Sequence, residues 1–333
     1  LGRYVKDLSD ETQARAYQLL IANALWGQKG YPFSPKYVEL LAIKYRSEGK
    51  EVDFENQAEA ACQSNNRWVQ EKTKDKIKEI VQPGLLDPLT RLLLINAVYF
   101  KGKWELPFDE NLTELSPFKM RTGTSETIEV DVAMMRQSGW FMYMENEALQ
   151  ALELPYQDGK LSMVIVLPRE IGGLPDFEAS LTDKDLSSWV QVLQHVDAEV
   201  TLLKFRFTSE FSVGGLLQST GMTDAFDPKT ADFSGMTEVK DLSVSNVLHK
   251  AVVDVNEEGT EAAAVMGAIA ALAEPDFDVP PPKVFRADHP FFFLIRHIAS
   301  GTILFMGRIC DTVGVLQELP ALETKPSPLD DPI

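Results

Sequence analysis

The chain has 333 residues, 44% hydrophobic and 25% charged, enough to bury a substantial core, which excludes disorder, a collagen-like repeat and a mini-protein. With 32 basic against 50 acidic side chains and a formal charge of -18, it repels polyanions, so no nucleic-acid partner is expected. The longest apolar run, Ala262 to Ala273, is 12 mostly alanine residues, too short and too weakly hydrophobic to cross a bilayer of about 30 Å, and no membrane partner is expected.

Taken in chain order, Gln18 to Trp26 reads as a strand ending at Gly27, and Pro35 to Tyr45 as a helix. Apolar or large residues at Ala61, Trp68, Val69, Ile77 and Val81, with charges between them, predict a helix over Glu59 to Val81 that ends before Pro83-Gly84. Leu92 to Phe100 is almost continuously apolar and rich in β-branched and aromatic residues, as a strand covered on both faces should be. A meander of antiparallel strands follows at Trp140 to Met144, Leu149 to Leu154 and Leu161 to Leu167, the last two joined by the turn residues Gln157-Asp158-Gly159. A helical stretch, Leu181 to Leu193, precedes strands at Val200 to Phe207, Lys250 to Asn256, Lys283 to Arg286, Phe291 to His297 and Thr302 to Arg308. The class is mixed, short connections favour one domain, and the Pro- and acid-containing tail, residues 311 to 333, should be mobile.

Enzyme signatures are missing. There is no GxSxG, HExxH, GK[ST] phosphate loop or GxGxxG, and the four histidines, at 195, 249, 289 and 297, lack the spacing that lets one helix face hold a metal. Carboxylates abound, but an acidic chain must have many, and none is singled out as a catalytic pair. No catalytic residue, metal or cofactor is therefore expected. Cys62 and Cys310 lie far apart and are expected as two buried thiols rather than a disulfide framework.

The unusual segment is EEGTEAAAVMGAIAALAEPDFDVPPP, residues 257 to 282. As an alanine-rich helix it would have almost no polar face, yet acids bracket it; as a flexible linker it carries too much Val, Met, Ile and Leu. At period two it separates cleanly. Thr260, Ala262, Ala264, Met266, Ala268, Ala270 and Leu272 form an uncharged face, and Glu261 is the one charge on the other, which starts Glu261, Ala263, Val265. Small side chains on both faces and no proline between Thr260 and Ala273 make the segment compatible with an exposed loop and with a central strand.

Glu-Gly-Thr-Glu-Ala before such a segment resembles the reactive-centre loop hinge of the serpins. Asn96 to Trp104 (NAVYFKGKW) resembles their third strand of sheet A, Leu154-Pro155-Tyr156 with Leu161-Ser162-Met163 their sheet B, and Phe285 to Phe293 and Leu304 to Arg308 their C-terminal signature. The resemblance implies a mixed α+β serpin fold with three β-sheets (A, B and C), surrounding helices and an exposed loop. It places an N-terminally incomplete serpin domain at residues 1 to 310.

The function implied is inhibition of serine endopeptidases by a suicide-substrate route: the loop is cleaved, the acyl-enzyme is trapped, and the loop inserts into sheet A. A monomer that forms a covalent complex with its protease, in a secreted or extracytoplasmic setting, is implied with it. The alternative is a non-inhibitory serpin acting as carrier, chaperone or storage protein. On the family's pattern the hinge is Glu257, Glu258, Gly259, Thr260, Glu261, Ala262, Ala263 and Ala264, and the reactive bond joins Ala273 to Glu274, with Ala271 and Leu272 as alternatives. Trp104, Lys204 and Glu257 correspond to the breach at the top of sheet A, and Asn96 with His249 to the shutter. No Lys or Arg occurs from Gly259 to Pro282, which disfavours trypsin-like pockets and favours elastase-like or subtilisin-like ones.

Overall fold

The computed structural model describes residues 16–45, 47–121, 126–182, 189, 191–258 and 280–312. The hinge beyond Glu258, the candidate reactive bond and nearly all of the tail therefore lie outside the described residues. The chain groups into two compact units, one holding the residues up to Lys103 with Phe207–Asp254, the other Trp104–Arg206 with the residues from Val255 on.

The first unit is built on a five-stranded sheet. Its strands are β1 (Tyr17–Gln28), β2 (Glu48–Val52), β3 (Leu92–Gly102), β9 (Phe205–Ser212) and β10 (Asn246–Val255), in the order β2-β1-β3-β10-β9. β1 and β3 pair antiparallel along their whole length, whereas β3 and β10 run parallel. Alternation along β3 decides its two faces: Ile95, Ala97 and Tyr99 point into a core with Leu20, Ala22, Ala24 and Trp26 of β1, and Asn96 points away from it. Helix α2 (Ala58–Lys72) closes that core, its Trp68 meeting Trp26 edge to face at 5.8 Å. Helix α1 (Pro35–Leu40), whose first residue is the expected proline, continues as a wider turn over Leu41–Tyr45.

The predicted helix over Glu59 to Val81 is nine residues too long: α2 stops at Lys72. Lys74 and Asp75 have φ values of 49° and 63°, which no α-helix accommodates. Ile77, Ile80 and Val81 are still buried, because Asn66 folds the chain back by accepting the Ile80 and Val81 amides and donating to the Val81 carbonyl. Their helical spacing is coincidence within an irregular segment.

The second unit carries an eight-stranded network: β4 (Glu114–Arg121), β5 (Thr127–Glu145), β6 (Leu149–Pro155), β7 (Leu161–Pro168), β8 (Gln194–Leu203), β11 (Lys283–Ala287), β12 (Phe291–His297) and β13 (Ile303–Ile309). The order is β11-β8-β5-β6-β7-β12-β13, with β4 also on β5. β5 is 19 residues long and pairs with β4 over Thr127–Met134, with β8 over Met134–Tyr143 and with β6 over Met142–Glu145. The second and third sheets implied by the resemblance are thus joined through this one strand. The predicted hairpin turn between β6 and β7 is present, with Gly159 at φ 63° supplying the left-handed residue it needs. Phe205, Phe285, Phe291 and Phe293 are fully buried beneath the network.

Two further expectations change. The strand over Val200 to Phe207 is two strands, β8 and β9, broken at Lys204, whose amide donates to the Ala133 carbonyl at 2.8 Å. Within the stretch Leu181 to Leu193 the described residues Trp189, Gln191 and Val192 are helical, as expected, while residues 183–188 and 190 lie outside the described residues. Helix α3 (Leu174–Ser180), its N-terminus set by Pro175, comes before that stretch, and a short helix α4 (Gly214–Ser219) follows β9. Cys62 is buried as expected, but Cys310 is exposed just after β13. Among the described residues no helix is long and apolar enough to cross a membrane.

Candidate functional site

The residues expected at the breach assemble where β10 ends, within the second unit. Trp104 is 2% exposed and stacks on Tyr156 with ring centroids 4.6 Å apart. A buried indole needs an acceptor, and its Nε1–H donates to the Asn256 carbonyl at 2.8 Å. The Trp104 amide donates to the Glu258 carbonyl at 3.2 Å. Between these two contacts the Glu257 carboxylate, 5% exposed, takes the Lys204 ammonium on Oε2 at 2.8 Å and the Thr113 hydroxyl on Oε1 at 2.9 Å. Burial alone would raise the Glu257 carboxyl, but Lys204, a backbone amide and Thr113 outweigh it and hold the group below its ordinary range. Three successive residues, 256 to 258, are fastened by three separate contacts immediately before the candidate hinge leaves the described chain.

The residues expected at the shutter meet in the first unit. Asn23, Asn96 and His249 stand directly opposite one another across β1, β3 and β10. The Asn96 amide donates to Asn23 Oδ1, so its own Oδ1 accepts from His249 Nδ1 at 2.6 Å. Phe211 of β9 packs its ring edge against the imidazole at 5.3 Å, and burial pushes the His249 pKa down. The three side chains form one polar line across three neighbouring strands, on the face opposite the Trp26 core.

All three residues expected at the breach are brought together, as are both expected at the shutter. Sequence reading missed Thr113, Tyr156 as the stacking partner of Trp104, and Asn23. A lone asparagine inside the apolar run of β1 was a usable signal for Asn23, since a polar residue in a central strand needs a partner. Thr113 gave none, because it lies in a loop far from Glu257 in sequence. Hinge residues 259 to 264 and bond residues 271 to 274 lie outside the described residues. Among the described residues no group of three or more His, Cys, Asp or Glu could hold a metal.

The sequence profile of the serpin (serine protease inhibitor) family matches residues 1–312. A leukocyte elastase inhibitor from Bos taurus is 42% identical over 299 residues, covering 88% of this chain and 78% of its own. The one from Homo sapiens is 38% identical over 301 residues, covering 88% and 77%. In three dimensions the chain is similar to uncleaved ovalbumin, with a TM-score of 0.83 and 30% identity over 93% of this chain and 81% of that one. The family is described by protease inhibition rather than by an enzymatic activity, and this chain belongs to it: it is a member of the serpin (serine protease inhibitor) family.

Proposed function

We propose that the protein inhibits serine endopeptidases of the elastase or subtilisin type as a suicide substrate. The protease serine attacks the Ala273 carbonyl, the bond to Glu274 breaks, the freed Glu274 amine takes the proton, and an ester links Ala273 to the protease. The chain upstream of Ala273 then enters the five-stranded sheet before water can hydrolyse that ester. The observation that carries this reading is the parallel pairing of β3 and β10. A segment leaving the end of β10 and folding back runs antiparallel to both, so it can pair with each once they separate. About a dozen new backbone hydrogen bonds, at roughly 0.5 to 1.5 kcal/mol net each, supply on the order of 10 kcal/mol. Small uncharged residues at Thr260, Ala262 and Ala264 offer little steric resistance. The protein acts as a monomer, and its product is a covalent complex.

The test incubates the full chain with pancreatic elastase and with subtilisin, followed by denaturing gels, mass spectrometry and melting. A band at the summed mass, with cleavage between residues 271 and 274, is the expected result. Clean cleavage with no complex and no rise in melting temperature overturns it in favour of a non-inhibitory carrier, chaperone or storage role.

A further inference from the structure

Resting on the inhibitory reading above, we propose that the outer face of β5, β8 and β11 around Trp140 is an accessory docking surface for the target protease. It contacts a basic part of that protease's surface outside the catalytic cleft.

Trp140 is 63% exposed in the second half of β5, its ring stacked on His195 of β8 at 5.4 Å. The fold does not require an indole at this position: the inward neighbours Phe141, Ala198, Val200 and Phe285 already fill the core side of these strands. Register fixes what shares the outer face. Asp197 stands opposite Trp140, Glu199 opposite Ser138, and Val284, 59% exposed, opposite Glu199 on β11. The result is an aromatic and aliphatic centre with carboxylates beside it; Arg136 and Arg286, further along the same face opposite Thr201, are already paired with Glu114 and Asp288. Tryptophan is among the residue types enriched in interface hot spots, and Asp197 and Glu199 select a partner surface bearing Lys or Arg.

Covalent reach makes the protease the occupant. β11 begins ten residues after Ala273, and ten residues span at most about 35 Å when fully extended. A protease of roughly 240 residues has a radius of gyration of about 18 Å, hence a diameter of about 45 Å. Engaged at Ala273, it cannot avoid the neighbourhood of β11, and the exposed face beside that strand is the one Trp140 occupies.

The experiment measures the second-order rate of inhibition of pancreatic elastase, and the number of inhibitor molecules used per protease, with the full chain and three variants. Trp140→Ala and Glu199→Lys should each slow association at least tenfold without changing the stoichiometry, the latter most strongly at low salt. Met306→Ala, which trims a side chain 58% exposed on β13, should leave the rate unchanged. Melting temperatures check that the variants fold, and Glu199→Lys alters only an exposed position if Trp140→Ala does not. Wild-type rates in both variants overturn the docking surface while leaving the inhibitory reading intact. Dimerisation of the wild type that Trp140→Ala abolishes, with no change in rate, also overturns it in favour of a contact between copies. Failure of the wild type to form any complex overturns both.

Discussion

Glu257 and Lys204 form an ion pair at 2.8 Å in which the carboxylate is almost wholly buried and the ammonium partly exposed. The pair joins the end of β10 to the break between β8 and β9, so it holds the chain at the point where the proposed hinge begins. Lys204→Met leaves a buried carboxylate with only Thr113 and backbone donors. Losing one member of a buried pair costs about 3–5 kcal/mol, and Lys204's exposure reduces that to about 2 kcal/mol. The expected outcome is a lower denaturant midpoint with an unchanged slope; an unchanged midpoint would show that the pair contributes nothing to holding the hinge.

The same carboxylate predicts an acid-sensitive latch. Its folded-state pKa lies below the ordinary 4.5, so its contribution to stability is complete above pH 4.5 and is lost as pH falls through the folded value. The stability difference between the wild type and Glu257→Gln should therefore be larger at pH 6 than at pH 3.5. Equal differences at the two pH values would reject the assignment.

His249 predicts the opposite end of the titration range. Burial holds its folded-state pKa below the ordinary 6.5, so the unfolded chain binds the proton first and stability falls as pH drops below 6.5. Melting curves between pH 7.5 and pH 5.0 should show this loss, and His249→Gln should flatten it. Asn96→Ala, which removes the acceptor of the Nδ1 hydrogen bond, should cost about 1–2 kcal/mol at pH 7.5. A His249→Gln variant with the wild-type pH slope would place the sensitivity elsewhere.

The fold was legible wherever one physical rule governed a segment. β3 announced itself through continuous apolar sequence, and the β6–β7 hairpin through its glycine turn. The rule failed where tertiary contacts replaced local ones: Asn66 gathers Ile80 and Val81 against α2 although no helix connects them. At the site, family motifs located Trp104, Lys204, Glu257, Asn96 and His249, but motifs carry no register. Asn23 becomes a partner of Asn96 only once β1 and β3 are paired, and Thr113 becomes a partner of Glu257 only once two distant loops meet. Trp140 illustrates the converse. The sequence places it at the start of a strand without saying which face it takes, and only the pairing of β5 with β8 puts it on the outer face.

Thr260→Arg should separate cleavage from trapping. In the proposed inserted strand Thr260 shares an inward face with Ala262 and Ala264, and burying an unpaired guanidinium there costs several kcal/mol. That is a large share of the roughly 10 kcal/mol available from new backbone hydrogen bonds, so insertion slows while attack on the reactive bond does not. Deacylation then wins, and the variant should be cut at the wild-type rate, release active protease and yield several-fold less covalent complex on a gel. Glu261→Arg puts the same charge on the alternate face and should change the partition much less. Equal loss of complex in both variants would mean that the segment does not enter the sheet with a two-residue period, and the insertion register drawn from Glu257 would have to be abandoned.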